Sequence, residues 1–211
     1  MFAADLYIDR LELVPYLEPE DWQPVGARDA LDFVDRLKQG GLALADCRHL
    51  SRQKRYALSL ALRAQEILPE VPSLDLPRPV PPDLFELNEP GPEAPVLVSG
   101  NSEFTLTVLT GVLATTISPF YLLLVDCRGD TVDMAMVYQS FTPERLVRGL
   151  TTHKLAERVN HRRLIISGWC APLREALAQA SGWEIAVGPV CAAELPLFMG
   201  EHWQPPAGLM D

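Results

Sequence analysis

The sequence predicts an α/β fold: a doubly wound, mainly parallel sheet covered by helices on both faces, preceded by a small helical domain. Three observations predict it. The apolar runs Pro95–Ser99, Phe120–Asp126 and Leu164–Ile166 are continuous rather than alternating, as strands buried on both faces must be. Helical periodicities separate those runs, which is the rhythm of strand–helix–strand units. Nine of the 19 prolines crowd between Pro69 and Pro95, where missing N–H donors and restricted neighbours favour an extended connector. The chain thus divides into a helical domain at 1–68, a proline-rich linker at 69–94, an α/β domain at 95–200 and a C-terminal tail at 201–211.

Each element has a local reason. Met1–Leu17 reads as a short helix broken at Pro15. Ala30, Phe33, Val34 and Leu37 recur on one helical face, with Asp29 as N-cap and Gly40-Gly41 as stop. Ser51 caps a helix that runs to Leu68, with Tyr56, Leu60 and Ile67 among its apolar positions. Past the linker come a strand at 95–99 and a helix at Glu103–Thr116, where context overrides the weak propensity of the threonines. The strand Phe120–Asp126 ends at Arg128-Gly129-Asp130, and Thr131–Tyr138 reads as a further strand. Thr142 caps a helix over Pro143–Val159 that has proline at its first position. A strand at 164–166, a helix at Ala171–Ala180, a strand at Glu184–Val187 and a helix at Cys191–Met199 complete the pattern. In such sheets ligands sit beyond the carboxyl ends of the strands, so the loops after Val98, Asp126 and Ile166 are where a site is expected.

Charge narrows the function. Twenty-eight acidic against 18 basic residues leave a net charge of −10, a field that repels phosphate backbones and anionic membranes. Neither nucleic acid nor membrane is an expected partner. The acidic Asp5 and Asp9 are unlike a secretory leader, and no apolar run reaches the roughly 18 residues of a membrane span, so a cytoplasmic location is expected. Cys47, Cys127, Cys170 and Cys191 share no CxxC spacing and read as reduced, mostly buried thiols rather than as zinc ligands with the four histidines.

Generic catalytic motifs are missing: no GxGxxG, no GxxxxGK[ST], no GxSxG. Asp126, at a strand end, is open to two readings, a catalytic carboxylate or an acid that caps the next turn. His161-Arg162-Arg163 is the one local basic cluster and reads as a solvated turn or a small-anion site.

Longer blocks carry more. Gly91-Pro92, PVLVSGN (95–101), Leu106-Thr107, LLLVDCRG (122–129), NHRRLIISG (160–168) and GWEIAVGPVCAAELPLF (182–198) stand in order over most of 91–199. In these blocks the chain resembles the corrinoid-binding domain of the corrinoid iron–sulfur protein large subunit, from the acetyl-CoA synthase/CO dehydrogenase pathway, and of the mercury-methylation corrinoid protein family. The resemblance implies a Rossmann-like domain that holds a corrinoid (cobamide). It implies cofactor contacts from Asn101, Ser102 and Thr105, from Thr131, Val132 and Met134, and from Gly188 and Pro189.

The departures from that family matter as much. Its iron–sulfur domain opens with CxxCGxPTC, with the fourth cysteine after a short helix. Here Gly26 matches the motif's glycine and Cys47 its last cysteine, but Trp22, Val25 and Ala30 stand at the other ligand positions. A [4Fe–4S] cluster takes typically four thiolates, so no iron–sulfur cluster is expected. A TIM barrel separates the two parts in the family; the proline-rich stretch stands in its place. Relatives carry small residues and AAGK, in the mercury-methylation branch also a cysteine under cobalt, where this chain has Met134, Met136, Val137 and Tyr138. Met134 offers either a thioether or plain packing. Two functions follow. One is a corrinoid-binding accessory protein or methyl-group carrier of one-carbon, methyl-transfer metabolism, rather than a stand-alone enzyme. The other is a cofactor-free interaction or assembly module that docks onto a methyltransferase or a corrinoid protein subunit.

Overall fold

The computed structural model describes residues 5–71 and 76–208. Residues 1–4 of the expected first helix, 72–75 of the linker and 209–211 of the tail lie outside the described residues.

The N-terminal part is a set of short helices around their own core. Two 3-10 turns, Ile8–Arg10 and Val14–Tyr16, stand where one broken helix was expected, with Pro15 in the first turn of the second. Helices α1 (Pro19–Trp22), α2 (Ala30–Lys38), α3 (Arg52–Leu62) and α4 (Ala64–Ile67) follow. The Asp29 carboxylate accepts from Asp32 N at 2.8 Å and the Ser51 hydroxyl from Lys54 N at 3.1 Å, which satisfies first-turn donors with no partner inside the helix. The helix expected over Ser51–Leu68 is interrupted at Arg63, whose ψ of 27° is not helical. Leu13, Leu17, Phe33, Val34, Leu37, Cys47, Leu50 and Leu58 form this core, and Trp22, Val25 and Ala30 pack against it.

The sheet comprises β1 (Leu84–Leu87), β2 (Val96–Gly100), β3 (Phe120–Val125), β4 (Arg163–Ile166) and β5 (Glu184–Val187), in the order β1-β3-β2-β4-β5. Four strands are parallel, and β1 closes one edge antiparallel to β3. This is the mainly parallel α/β sheet the apolar runs predict: every residue of β2 and β3 is buried. The proline-rich stretch contributes β1 itself, four residues at the sheet edge with the prolines on either side. A short edge strand of that kind resists pairing with other chains.

Helix α5 (Glu103–Leu113) crosses one face of the sheet. Its threonines are accommodated by bonding back along the helix, Thr107 to Glu103 O at 2.8 Å and Thr110 to Leu106 O at 2.7 Å. Val108, Val112 and Leu113 meet Leu97, Phe120, Leu122, Leu124 and Ile165 there, and Tyr56, Leu60, Ala64 and Leu68 extend the same core into α3 and α4.

The segment expected as a strand over Thr131–Tyr138 is instead helix α6 (Val132–Val137), with Thr131 as its extended N-cap. A six-residue apolar run does not distinguish strand from helix by periodicity. Tertiary structure decides: Val132, Ala135 and Met136, at helical spacing, pack together on the core. Beyond it, α7 (Pro143–Thr152) and α8 (Leu155–Arg158) replace one expected helix, divided where Lys154 takes a φ of 49°. The Thr142 cap and the proline in the first turn are as predicted. After β4, a 3-10 stretch at Gly168–Leu173 leads into α9 (Arg174–Ser181). Leu146, Leu150, Leu155 and Leu177 cover the opposite face, on Val96, Val98, Leu123, Leu164 and Ile185. After β5, a 3-10 turn at Ala192–Glu194 and α10 (Leu195–Met199) replace the single helix expected there. Trp203 then returns to the core, fully buried, with its ring 5.6 Å from that of Phe120.

Candidate functional site

Strands β2 and β4 lie side by side, yet their connections leave in opposite directions. The chain leaves β2 through α5 to reach β3, and leaves β4 through α9 to reach β5. The crevice beyond their carboxyl ends is the switch point of the sheet, the place where open α/β sheets bind ligands. A cleft of about 120 Å³ lies there.

Its floor is Val98, Ser99, Ile165 and Ile166 of the two strands; Phe104, Thr105, Val108 and Leu109 of α5 form one wall. Thr131, Val132 and Asp133 at the start of α6 form another, and Trp169, Pro189 and Val190 a third. A site was expected in the loops after Val98, Asp126 and Ile166; the cleft is lined by Phe104 and Thr105 of α5, by Thr131 after β3, and by Ser167 and Trp169 after β4. Of the residues the resemblance singles out, Thr105, Thr131, Val132 and Pro189 line the cleft, whereas Asn101, Ser102, Met134 and Gly188 do not.

Asn101 is a structural clasp. Its amide donates to Val80 O at 2.8 Å and accepts from Cys127 N at 2.6 Å and Gly129 N at 3.3 Å, tying the proline-rich stretch to the loop after β3. Ser102 is buried beside it with no partner for its hydroxyl, and bridges to Pro79. Met134 lies half-buried along α6. Gly188 donates its N–H to Ile166 O at 2.8 Å, and Gly168 meets Pro189 O at 2.9 Å, so the loops after β4 and β5 are laced together behind the cleft.

The residues that sequence reasoning missed come from far away in the chain. Leu6 and Tyr7 enter the cleft from the N-terminal segment. The Tyr7 hydroxyl donates to Asp133 Oδ2 at 2.6 Å, and its ring stands edge-on to Trp169 at 5.0 Å. The Arg10 guanidinium lies 5.0 Å from the Trp169 ring and 5.8 Å from that of Tyr7, a cation over two aromatic faces. The Trp169 indole N–H is buried with no partner among the described residues. Burial pushes the Asp133 carboxyl up, but hydrogen bonds from Thr131, Tyr7 and the backbone outweigh it and hold it below the usual range. Burial and the same carboxylate push the Tyr7 phenol up, so it stays a donor. Trp169 falls in the loop after Ile166, where a site was expected; nothing local pointed to Tyr7.

The other candidates have structural roles. Asp126 accepts from Arg128 N at 3.0 Å and caps the turn after β3. The His161 cluster lies at the opposite end of β4 from the cleft. His161 bonds Ala94 O at 3.1 Å, and Arg162 donates to three backbone carbonyls and stacks over Trp183 at 5.2 Å. All four cysteines are buried free thiols, with Cys127 and Cys170 pushed up to about 12 by burial.

The fold is an α/β module with a cleft at the switch point of its sheet, preceded by a set of short helices. Residues 42–199 match the family of the CO dehydrogenase/acetyl-CoA synthase delta subunit, and the chain belongs to that family. It is 30% identical over 129 residues to the acetyl-CoA decarbonylase/synthase complex subunit gamma of Archaeoglobus fulgidus, covering 61% of this chain and 27% of that protein. It is 30% identical to the subunit of the same name in Methanopyrus kandleri, over 58% of this chain and 27% of the relative. It is 32% identical to the corrinoid/iron-sulfur protein large subunit of Moorella thermoacetica, over 54% of this chain and 26% of the relative. The chain thus spans about a quarter of the length of the curated relatives it matches. No helix among the described residues is long and apolar enough to cross a membrane.

Proposed function

We propose that this chain is an accessory subunit of acetyl-CoA-pathway one-carbon metabolism that works as an interaction and assembly module, with neither a corrinoid nor an iron–sulfur cluster of its own. The size and state of the switch-point cleft carry this reading. At about 120 Å³ it has room for a few waters, against roughly 300–1,000 Å³ for pockets that bury a drug-sized ligand, so as arranged it does not fit a corrin ring. Its described lining includes no histidine, cysteine or methionine to meet cobalt. In the helical domain one thiol, Cys47, sits in a core packed by Trp22, Val25 and Ala30, so the donor set does not fit a cluster either. The expected partner is a methyltransferase or a corrinoid protein subunit; in support, the relatives are named as subunits of an acetyl-CoA decarbonylase/synthase complex and of a corrinoid/iron-sulfur protein.

A second reading, a corrinoid carrier, is favoured by one observation: Thr105, Thr131, Val132 and Pro189 line one cleft at the switch point. The test is an absorption spectrum of the pure protein after incubation with aquo- or methylcobamide and gel filtration, with iron and sulfide analysis of anaerobically purified protein. The accessory reading expects no retained corrin band, no stoichiometric iron, and co-elution with a corrinoid protein or methyltransferase subunit of the same cell. Retained cobamide moves the chain to the second reading; co-elution with neither partner overturns the accessory one.

A further inference from the structure

We infer that Asp5–Arg10 is a releasable strap that walls and narrows the switch-point cleft, holding part of the space of an external ligand, and that the cleft takes flat apolar rings carrying a hydrogen-bond donor on one edge. The inference deepens the reading above, because it names what narrows the cleft and which chemistry opens it.

The strap supplies such a ligand from within the chain. The Tyr7 ring enters against Trp169, and its hydroxyl meets Asp133 at 2.6 Å. Leu6 adds apolar surface to the cleft, and Arg10 closes over the indole. The Trp169 N–H, buried and without a partner among the described residues, is a donor that the strap leaves unused and that an acceptor on an incoming ring would satisfy.

The attachment is built to release. Among the described residues, the backbone hydrogen bonds of the strap are local: Tyr7 N to Asp5, Arg10 N to Tyr7 O and Leu11 N to Ile8 O. Nothing pairs it with a strand. Its one hydrogen bond to the α/β layer is Tyr7 to Asp133. Tyr7 itself is held at a φ of 57°, a left-handed conformation that a β-carbon disfavours and that release would relieve. Just beyond, the chain is anchored: Glu12 N donates to Glu194 at 3.1 Å and Tyr16 to the same carboxylate at 2.9 Å. The strap therefore pivots on a fixed point rather than detaching with its domain.

The test uses the full chain and 2-naphthol, a flat apolar dye with one hydroxyl donor on its edge, its binding read by fluorescence anisotropy. Wild type is expected to bind it weakly, Tyr7→Phe about threefold and Tyr7→Ala about tenfold more strongly, in that order. The same order is expected in the acrylamide quenching of tryptophan emission, and Trp169→Phe should remove that difference. Hydrogen exchange on the wild type, which needs no variant to fold, should show residues 6–10 opening far faster than β2 and β4. Dye binding by Tyr7→Ala equal to wild type with a native circular dichroism spectrum overturns the inference, as does exchange in 6–10 as slow as in those strands. The cobamide and co-elution results fall on the function reading alone, so the two fail separately.

Discussion

The side chain of Asn101 accepts a hydrogen bond from the backbone N–H of Cys127 at 2.6 Å, which joins the end of β2 to the loop after β3. The same amide holds Val80 O at 2.8 Å, so one buried residue fastens three segments. Asn101→Ala leaves those groups without partners in a buried setting. It should lower the unfolding free energy by about 2–3 kcal/mol. Urea denaturation checks this, and Asn101→Asp should also destabilise, because it removes the donor that Val80 O needs.

Gly129 is the counterpart of that clasp from the other side. Its φ is 84°, and a β-carbon there would overlap Pro79 N and come within 2.7 Å of Pro79 Cδ and 2.8 Å of Arg78 C. These are mostly backbone atoms that have little freedom to move aside. Gly129→Ala should cost about 2–4 kcal/mol, from left-handed strain plus overpacking. Limited proteolysis should then cut the 76–83 stretch faster in the variant than in the wild type.

Glu194 gives a pH signature. Burial, reinforced by the neighbouring Glu12 charge, pushes its carboxyl above the ordinary value despite the hydrogen bonds from Glu12 N and Tyr16. A folded pKa above the unfolded one means that the native state holds its proton longer. This contribution to stability is then complete below about 4.3, the unfolded value, and is lost as pH rises through the folded pKa. Glu194→Gln does not titrate, so the melting temperature of the variant minus that of wild type should rise between pH 4 and pH 7. A flat difference over that range would count against a raised carboxyl.

Trp203 tests whether the segment after α10 belongs to the core. It is completely buried against Phe120, and Gln204 O receives Ile117 N at 3.0 Å and the Thr116 hydroxyl at 2.8 Å. Trp203→Ala should destabilise by about 3–5 kcal/mol, the range for removing a buried aromatic, and Trp203→Phe by less. Thermal unfolding followed by circular dichroism reads both.

Much of this fold was legible because its causes are local or periodic. Asp29, Ser51 and Thr142 each cap the helix that their position announces, since a cap needs only its own side chain and the N–H three residues on. The runs at β2 and β3 could not be one-sided, and every residue of both is buried. The loops after β2 and β4 were legible as the place for a site, because a parallel sheet with reversing connections leaves a crevice there.

What the sequence by itself determined, then, is the α/β class, most of its elements and the end of the sheet where the cleft lies. Tertiary structure decided the rest. Val132–Val137 is a helix whose Val132, Ala135 and Met136 pack on a core assembled from distant segments, which no window of six residues reveals. Asn101 is a clasp because Val80, 21 residues earlier, returns to meet it. Tyr7 lines the cleft and meets Asp133, 126 residues away, and no local pattern encodes that meeting. Caps and periodicities are interactions within a few residues, whereas the contents of a cleft depend on which distant segments the packed chain brings to it.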